Sequence, residues 1–413
     1  MKPVRMKNPF AALKHKNFRY YWFGMCISTT GTWMQNIAQP WLAYRLTDSP
    51  FLLSLIGALQ YTPVLLLSLF AGVIIDRIRK KNLLIITQSA SMVITLVLAL
   101  LTWTGRVQYW HILLTATALG FVNTLDMPTR QTFLIELTGK EDLMDAIALN
   151  SAVFNTARII GPAIASLVMG YFGVAVCFFA NSVSFAAVLI SLFFIKPVAM
   201  EKPSEKKRNM IKEIKEGLGY IYSNEVLFTA LLILAVVGTF APNFSVLVPV
   251  FADRVLHQQE TGFGFLMSLL GVGSFLGAMV IATMSAAGPK KFILYGSPLI
   301  IGGFLAITGL TSAFFLTGVT LLITGFFFVM FSSTTNSTLQ LNSSNEYRGR
   351  VMSVYTLVFA GSTPLGNLYA GTMMEQISAR VGFVACGGAV LVLMIPIYGY
   401  LMRKRRRRRS GIH

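Results

Sequence analysis

The sequence predicts an all-α integral membrane protein with twelve transmembrane helices in two parallel six-helix repeats. Of its 413 residues, 54% are hydrophobic and only 12% are charged, a balance that soluble domains of this length rarely reach. The apolar residues collect in long stretches that are separated by short polar connections. The two halves of the chain also resemble each other, which favours an internal duplication.

Each apolar stretch is close in length to the about-20-residue helix that crosses the hydrocarbon core of a bilayer. An even number of spans places both ends of the chain on the same side of the membrane. The twelve predicted spans are residues 18–44, 51–75, 82–104, 108–130, 145–171, 174–195, 225–251, 262–286, 291–310, 314–338, 349–374 and 380–402.

One long polar stretch divides the chain into two halves. Its later part, near residues 210–222, has the pattern of an amphipathic surface helix. Identical residues recur at an offset of 205 between the halves, as in Thr129 with Thr334 and Gly161 with Gly366. The predicted domains are a first six-helix half (1–195), a linker with the amphipathic helix (196–224), a second six-helix half (225–402) and a polybasic tail (403–413).

The net charge of +19 indicates a membrane orientation and not a nucleic-acid partner. With the N-terminus inside, most Lys and Arg residues fall in inner connections, which is the usual bias of cytoplasmic loops. We therefore expect a multi-pass protein of the cell membrane with both termini in the cytoplasm. The basic run from Arg403 to Arg409 is expected to bind anionic lipids of the inner leaflet.

Few residues suit catalysis, metal binding or ATP hydrolysis. The three cysteines are far apart without a CxxC spacing, and the four histidines are scattered along the chain. A GxxxxGK[ST] phosphate-binding loop is absent, which disfavours an ATP-driven pump. A single acid within the spans cannot form a catalytic carboxylate pair. We expect no enzymatic activity, no metal and no cofactor.

Away from the ends of the predicted spans, two residues of the Asp, Glu, Lys and Arg types remain, Asp126 in the fourth span and Arg158 in the fifth. An ionised side chain there costs at least about 2.5–3.5 kcal/mol on insertion scales, so each needs a partner or a wet cavity. Asp126 either exchanges protons with a cavity lined by Arg158, or joins the cationic end of residues 72–81 and holds an inward gate shut. Arg158 either attracts an anionic or polyphenolic substrate or bonds to another helix.

Polar side chains recur along one face of several spans, where lipid cannot solvate them. As stripes they favour a wet cavity for a moderately polar ligand with an aromatic contact, although each residue alone could join two helices. In the seventh span, Pro242 predicts a kink. The candidate substrate-binding residues are Thr32, Trp33, Gln35, Asn36, Gln39, Asn155, Arg158, Thr239 and Asn243.

The connection between the second and third spans carries a recognisable pattern. Gly72-x-x-x-Asp76-Arg77-x-x-Lys80-Lys81 resembles the loop signature GxLaDrxGRkx of the major facilitator superfamily, with Arg79 where a second Gly is usual. Residues 157–166, ARIIGPAIAS, are similar to the antiporter signature GxxxGPxxGG, with Ala or Ser in place of three glycines. With EYRGRVMS at 346–353, these motifs resemble the enterobactin-exporter-like and macrolide-efflux branch.

The resemblance implies a secondary transporter in which spans one, four, seven and ten line the substrate cavity. We expect a monomer that exports a small amphipathic or anionic compound, a drug or a siderophore, by proton-coupled alternating access, with Asp126 as the proton-coupling candidate. A lipid flippase on the same fold and a non-transporting membrane receptor are the alternatives. Glu346, Arg348 and Arg350 are expected to pair with residues 72–81 across the two halves; the alternative is that they are solvated loop charges. The candidate gate residues are Gly72, Asp76, Arg77, Lys80, Gly161, Pro162, Glu346, Arg348 and Arg350.

Overall fold

The computed structural model describes residues 11–139, 141–195, 210–284, 288–344 and 346–409. Within these ranges it gives the backbone but not the side chains of residues 68–73, 76–77, 210–214 and 404–409. A 3-10 turn, Ala11–Lys14, precedes the first helix. The helices are α1 (Lys16–Thr47), α2 (Pro50–Arg77), α3 (Lys80–Trp103), α4 (Tyr109–Thr138), α5 (Leu143–Phe172), α6 (Val174–Phe194), α7 (Met210–Ser223), α8 (Glu225–Phe240), α9 (Phe244–Arg254), α10 (Glu260–Met284), α11 (Lys291–Leu310), α12 (Phe314–Leu341), α13 (Arg348–Gln376) and α14 (Ala379–Arg409).

The predicted all-α membrane architecture is confirmed. The first six spans are α1 to α6, the seventh is α8 with α9, and the last five are α10 to α14. Within the described ranges, nine segments are long and apolar enough by themselves to cross a membrane. Helix α7 coincides with the amphipathic helix that the sequence predicts near residues 210–222.

The kink predicted at Pro242 is a complete interruption of the seventh span. Helix α8 ends at Phe240, and α9 begins at Phe244. Proline has no backbone N–H to donate to the carbonyl four residues earlier, so the regular bonding pattern stops there. The side chain of Asn243 donates instead to the carbonyl oxygens of Thr239 at 2.9 Å and Phe240 at 3.2 Å. A polar side chain thus binds carbonyl groups that the helix break would otherwise leave open.

The fourth span is longer than the sequence predicts. Helix α4 continues to Thr138, whereas the predicted span ends at residue 130. The prediction stops early because Arg130 and Glu136 are ionisable, but both residues lie on the helix and form ion pairs. Hydropathy alone counts such residues as loop residues.

The chain divides into two compact units. One contains Met1–Leu46 and Thr62–Glu205, and the other contains Thr47–Tyr61 and Lys206–His413. The first turns of α2 therefore group with the second unit. The domain boundaries expected at residues 195 and 225 remain a prediction.

In the first unit, α1 packs against α3, α4 and α6 through an apolar cluster. The ring of Tyr21 meets that of Phe133 edge-on, with centroids 5.6 Å apart. Polar contacts lie at the end of this unit where α3 and α5 begin: His15 contacts Asp142 at 2.8 Å, and Lys80 contacts Glu136 at 2.7 Å. The cluster includes Phe18, Tyr21, Met25, Leu84, Phe133, Leu137 and Leu192.

In the second unit, close helix contacts depend on glycine. A Cβ atom on Gly273 of α10 would meet the backbone of Leu322 in α12, so this crossing excludes any larger residue. At the start of α2, the carboxylate of Glu375 accepts hydrogen bonds from the Ser49 hydroxyl at 3.0 Å and the Phe51 N–H at 3.4 Å. This carboxylate stabilises a helix N-terminus, where free N–H groups favour a negative charge.

Candidate functional site

Arg158 of α5 places its guanidinium over the ring of Trp33 of α1, 5.8 Å from the ring centroid. Phe154, one turn earlier on α5, meets the same indole edge-on with centroids 5.6 Å apart. The Arg158 side chain is half-buried and keeps accessible surface. Within the described ranges, no carboxylate lies within ion-pair distance of Arg158. Among the described residues, the contact of its positive charge is with the face of the Trp33 ring, which attracts a cation.

Gly161 brings α5 close to α1 at this position. A Cβ atom on Gly161 would lie 2.5 Å from the Cβ of Trp33, which is closer than side chains tolerate. Helix α5 is continuous from Leu143 to Phe172, and Pro162 does not interrupt it. The structure thus gives Gly161 a packing function against Trp33, while its predicted function in gating with Pro162 remains a proposal.

The polar residues of α1 separate into two groups. Gln35 is 4% exposed, and its Oε1 accepts hydrogen bonds from Asn181 of α6 at 2.5 Å and Thr95 of α3 at 3.2 Å. Its amide nitrogen donates to Gln39, which is also buried, at 3.1 Å. These contacts join helices to one another. The other group retains accessible surface: Asn36 is exposed, and Trp33 and Thr32 are half-buried.

Other candidate substrate residues bond to their own helices. Thr32 donates to the carbonyl of Ser28 at 2.9 Å, and Asn155 donates to that of Ser151 at 2.8 Å. In the second unit, Thr239 donates to the carbonyl of Ala235 at 2.6 Å. Asn243 is fully buried and binds the carbonyl groups at the end of α8. The accessible candidates of the first unit are therefore Thr32, Trp33, Asn36, Asn155 and Arg158.

Asp126 is 4% exposed and lies in a shell of hydrogen-bond donors. Its Oδ1 accepts from Thr87 at 2.7 Å and from Gln88 at 2.8 Å, both on α3. Its Oδ2 accepts from the guanidinium of Arg130, four residues later on α4. Sequence reasoning missed Arg130 because it assigned this residue to a connection. The i, i+4 spacing between the two charges is the signal that could have identified the pair.

From the sequence, Asp126 was considered as the acid of α4 that contacts residues 72–81, but the described contact involves a different acid. Lys80 forms an ion pair with Glu136 at 2.7 Å, and Lys81 donates to the carbonyl of Ile195 at 2.7 Å. The sequence interpretation did not include Glu136. Gly72, Asp76 and Arg77 lie on α2, but their side chains are outside the described residues.

At the start of α13, Arg350 forms an ion pair with Glu216 of α7 at 2.8 Å. The ring of Tyr220 of α7 stacks on that of Tyr347 with centroids 4.4 Å apart, and its hydroxyl accepts from the Ser344 N–H at 3.1 Å. These contacts stabilise α7 against α13 within the second unit.

The three residues expected to pair with residues 72–81 therefore have other described environments. Arg350 has its carboxylate partner on α7, where sequence reasoning did not search. Arg348 donates to the carbonyl groups of Gln340 at 3.1 Å and Ser343 at 3.4 Å, and Glu346 is exposed. Their predicted pairing with residues 72–81 stays a prediction.

Comparison with known proteins gives a consistent family. The family model for transmembrane secretion effectors of the major facilitator type matches residues 7–409. The staphyloferrin A transporter of Staphylococcus aureus is 28% identical, over 94% of this chain and 96% of that protein. The multidrug efflux pump Tap of Mycolicibacterium fortuitum is 25% identical, over 90% and 92% of the two chains.

Solved structures show the same fold at low sequence identity. A bacterial homologue of the human lysosomal transporter Spinster aligns with a TM-score of 0.73 at 11% identity, over 96% of this chain and 98% of that one. The nucleoside transporter NupG aligns with a TM-score of 0.70 at 12% identity, over 95% and 99% of the chains. With twelve spans and a family match over nearly its whole length, the chain belongs to the transmembrane secretion effector family of the major facilitator superfamily.

Proposed function

We propose that this transporter exports a small amphipathic or anionic compound, a siderophore or a drug, by proton-coupled alternating access. The observation that carries the proposal is the guanidinium of Arg158 over the ring of Trp33. An ionisable residue inside a membrane helix is expected to face a partner or a wet cavity. Since no described carboxylate pairs with Arg158, an anionic group of the substrate is the partner that fits.

The surroundings of Arg158 favour a substrate that also has an apolar or aromatic part. Trp33 and Phe154 form an edge-to-face pair beside the charge, and both side chains keep accessible surface. Thr32, Asn36 and Asn155 add neutral polar groups on the same two helices. A few polar groups among aromatic side chains is the usual lining of a small-molecule site. The names of the relatives, a staphyloferrin A transporter and a multidrug pump, agree with this class of cargo.

Asp126 is the residue that we propose for proton coupling. Its carboxylate is buried and bonded by Arg130, Thr87 and Gln88. Protonation would remove the negative charge that holds Arg130, so that the ion pair and its packing against α1 and α3 would change together. Such a charge change at a buried pair is a local event that can shift a conformational equilibrium.

We also propose which residues control the gate, the oligomeric state, the orientation in the membrane and the contact with lipids. Gly72, Asp76, Arg77, Lys80, Gly161, Pro162, Glu346, Arg348 and Arg350 are the proposed gate and conformational residues. We propose a monomer in the plasma membrane. The distribution of basic residues favours an orientation with both termini in the cytoplasm. The basic run at the end of α14 is the proposed contact with anionic lipids.

Transport of a panel of anionic and neutral amphiphiles into inverted proteoliposomes tests the function of Arg158. We expect Arg158→Lys to keep part of the transport of anionic compounds, since the charge remains, and Arg158→Ala to lose it. Arg106→Ala is the matched control, because Arg106 is exposed in the connection before α4. Equal transport by the Lys and Ala variants and the wild type would overturn the proposal.

A further inference from the structure

Helices α1 and α3 run in the same direction in the first unit, and their register follows from side-chain contacts. Gln35 of α1 accepts from Thr95 of α3 at 3.2 Å. Further back along both helices, Met25 contacts Arg130, and Gln88 donates to Asp126 at 2.8 Å. Asp126 and Arg130 are four residues apart on α4, so Met25 lies about one helical turn further back than the level of Gln88.

This register places Ser28 opposite Gln88. Each lies seven residues before the bonded pair of Gln35 and Thr95, and therefore on nearly the same helix face and about 10 Å back along the axis. Ser91 and Thr95 continue the polar face of α3 at helical spacing, and both are buried. The register thus implies a polar cleft between the two helices at the level of the carboxylate of Asp126.

Ser28 Oγ and Gln88 Oε1 in this cleft have no hydrogen-bond partner in the described part of the chain, and neither does the Tyr21 hydroxyl. Ser28 and Gln88 are each 1% exposed. The amide of Gln88 cannot be reversed without cost, because its nitrogen donates to the carboxylate of Asp126. Its oxygen therefore cannot pair with the carboxylate of Asp126 and requires a donor. Buried polar groups in this position are usually satisfied by an ordered water molecule.

We propose that an ordered-water site between Ser28 and Gln88 is the port through which protons reach Asp126. A water molecule there donates to Gln88 Oε1 and exchanges a hydrogen bond with the Ser28 hydroxyl. A hydronium ion arriving at the site gives its proton to the carboxylate, which forms a neutral carboxyl group and leaves water behind. The charged or titratable groups that face the port are Asp126 and Arg130 from α4 and the Tyr21 hydroxyl from α1. The port lies within the first unit and does not require Arg158.

Radiolytic hydroxyl-radical footprinting tests the water site, because bound water generates radicals that oxidise neighbouring buried side chains. Met25 and Met34 are a matched pair on α1, each 6% exposed, and only Met25 contacts the Asp126–Arg130 pair. We expect Met25 to be oxidised at a rate near that of Met144, which is 75% exposed, while Met34 stays protected. Equal protection of Met25 and Met34 would overturn the site.

Variants of Ser28 connect the site to proton movement. Ser28→Val fills the cleft, and Ser28→Ala removes the hydroxyl without crowding it, so both should lower Met25 oxidation and slow substrate-driven proton movement in proteoliposomes. Thr124→Val is the control, because Thr124 lies near Asp126 but donates only to the carbonyl of Gly120 in its own helix. Unchanged proton movement in both Ser28 variants, despite reduced labelling, would overturn the port.

The proposed port rests on the proposed proton coupling, but different experimental results would contradict each of them. A wild-type protein that exports substrate without moving protons contradicts the coupling and the port, while the labelling of Met25 reports on the water site independently. Protected Met25 together with intact proton movement contradicts the water site and leaves the coupling in place. Circular dichroism and thermal unfolding of each variant identify any that fail to fold.

Discussion

The guanidinium of Arg130 binds the carboxylate of Asp126 from one turn further along α4. With Thr87 and Gln88 as additional donors, the acid has partners at both oxygen atoms although it is almost completely buried. A buried charge becomes tolerable when it is paired and hydrogen-bonded. In this arrangement the charge of Asp126 is neutralised by Arg130 and not by Arg158. Arg158 can therefore bind another anion.

The pair predicts a marked non-additivity of stability. Arg130→Met leaves the carboxylate buried without its cation, and loss of one partner of a buried pair costs about 3–5 kcal/mol. Removing both charges in the double variant Asp126→Asn with Arg130→Met should cost less than Arg130→Met alone. Thermal unfolding in detergent, followed by tryptophan fluorescence, measures each variant. A double variant that loses the sum of the two single effects would show that the pair is not coupled.

Asp126→Asn should abolish substrate-driven proton movement in proteoliposomes while substrate binding remains. The amide cannot take up a proton at physiological pH, but it keeps the size and a hydrogen-bond acceptor for Thr87. Asp145→Asn is a suitable control, since Asp145 is a partly exposed acid in the first turn of α5. A pH-sensitive dye inside the vesicles reports the flux, and unchanged coupling in Asp126→Asn would eliminate this carboxylate as the proton carrier.

Gly161→Ala should weaken substrate binding and lower the thermal stability. The new methyl group would fall 2.5 Å from the Cβ of Trp33, so α5 must move away from α1 and carry Arg158 with it. Overpacking of this kind typically costs about 1–3 kcal/mol. Gly303→Ala is the matched control because a Cβ atom there meets nothing within 4 Å, and it should be neutral or slightly stabilising. Similar binding by the two variants would contradict the close approach.

Glu216→Gln should loosen the start of α13 with little loss of global stability. The ion pair of Glu216 with Arg350 is partly exposed, and pairs of that kind contribute about 1 kcal/mol or less. Hydrogen exchange of residues 346–353 should therefore accelerate, and Tyr220→Ala, which removes the stacking on Tyr347, should accelerate it further. Lys215→Gln serves as the control, because Lys215 is exposed on the same helix. Unaltered exchange in both variants would show that α7 does not stabilise α13.

Hydropathy predicted most of the twelve spans, nine described segments being apolar enough by themselves, because each span must satisfy its backbone within a helix and present apolar side chains to lipid. It was insufficient at the end of α4, where Arg130 and Glu136 have partners on the helix bundle and so remain helical. Charges that neutralise each other in three dimensions cannot be distinguished from loop charges by a composition window.

The periodicity of polar residues predicted which faces avoid lipid but not what they contact. Gln35 and Asn36 are neighbours in the stripe of α1, yet Gln35 joins α3 and α6 while Asn36 is exposed. A rotation of about 100° per residue separates them, and only the positions of neighbouring helices determine which face meets protein. Periodicity also gave no sign of the partner of Arg350, because Glu216 is distant from it in the sequence.

At the break between α8 and α9, one side chain makes hydrogen bonds that the main chain makes elsewhere in a helix. Where the helix ends after Phe240, the buried side-chain amide of Asn243 supplies the donor group for the carbonyl oxygens of Thr239 and Phe240. Replacing Asn243 would therefore be equivalent to deleting backbone hydrogen bonds, an effect that side-chain substitutions ordinarily do not have. The joint in the seventh span thus depends on two neighbouring residues: Pro242 interrupts the helix, and Asn243 supplies the hydrogen bonds that complete its interrupted end.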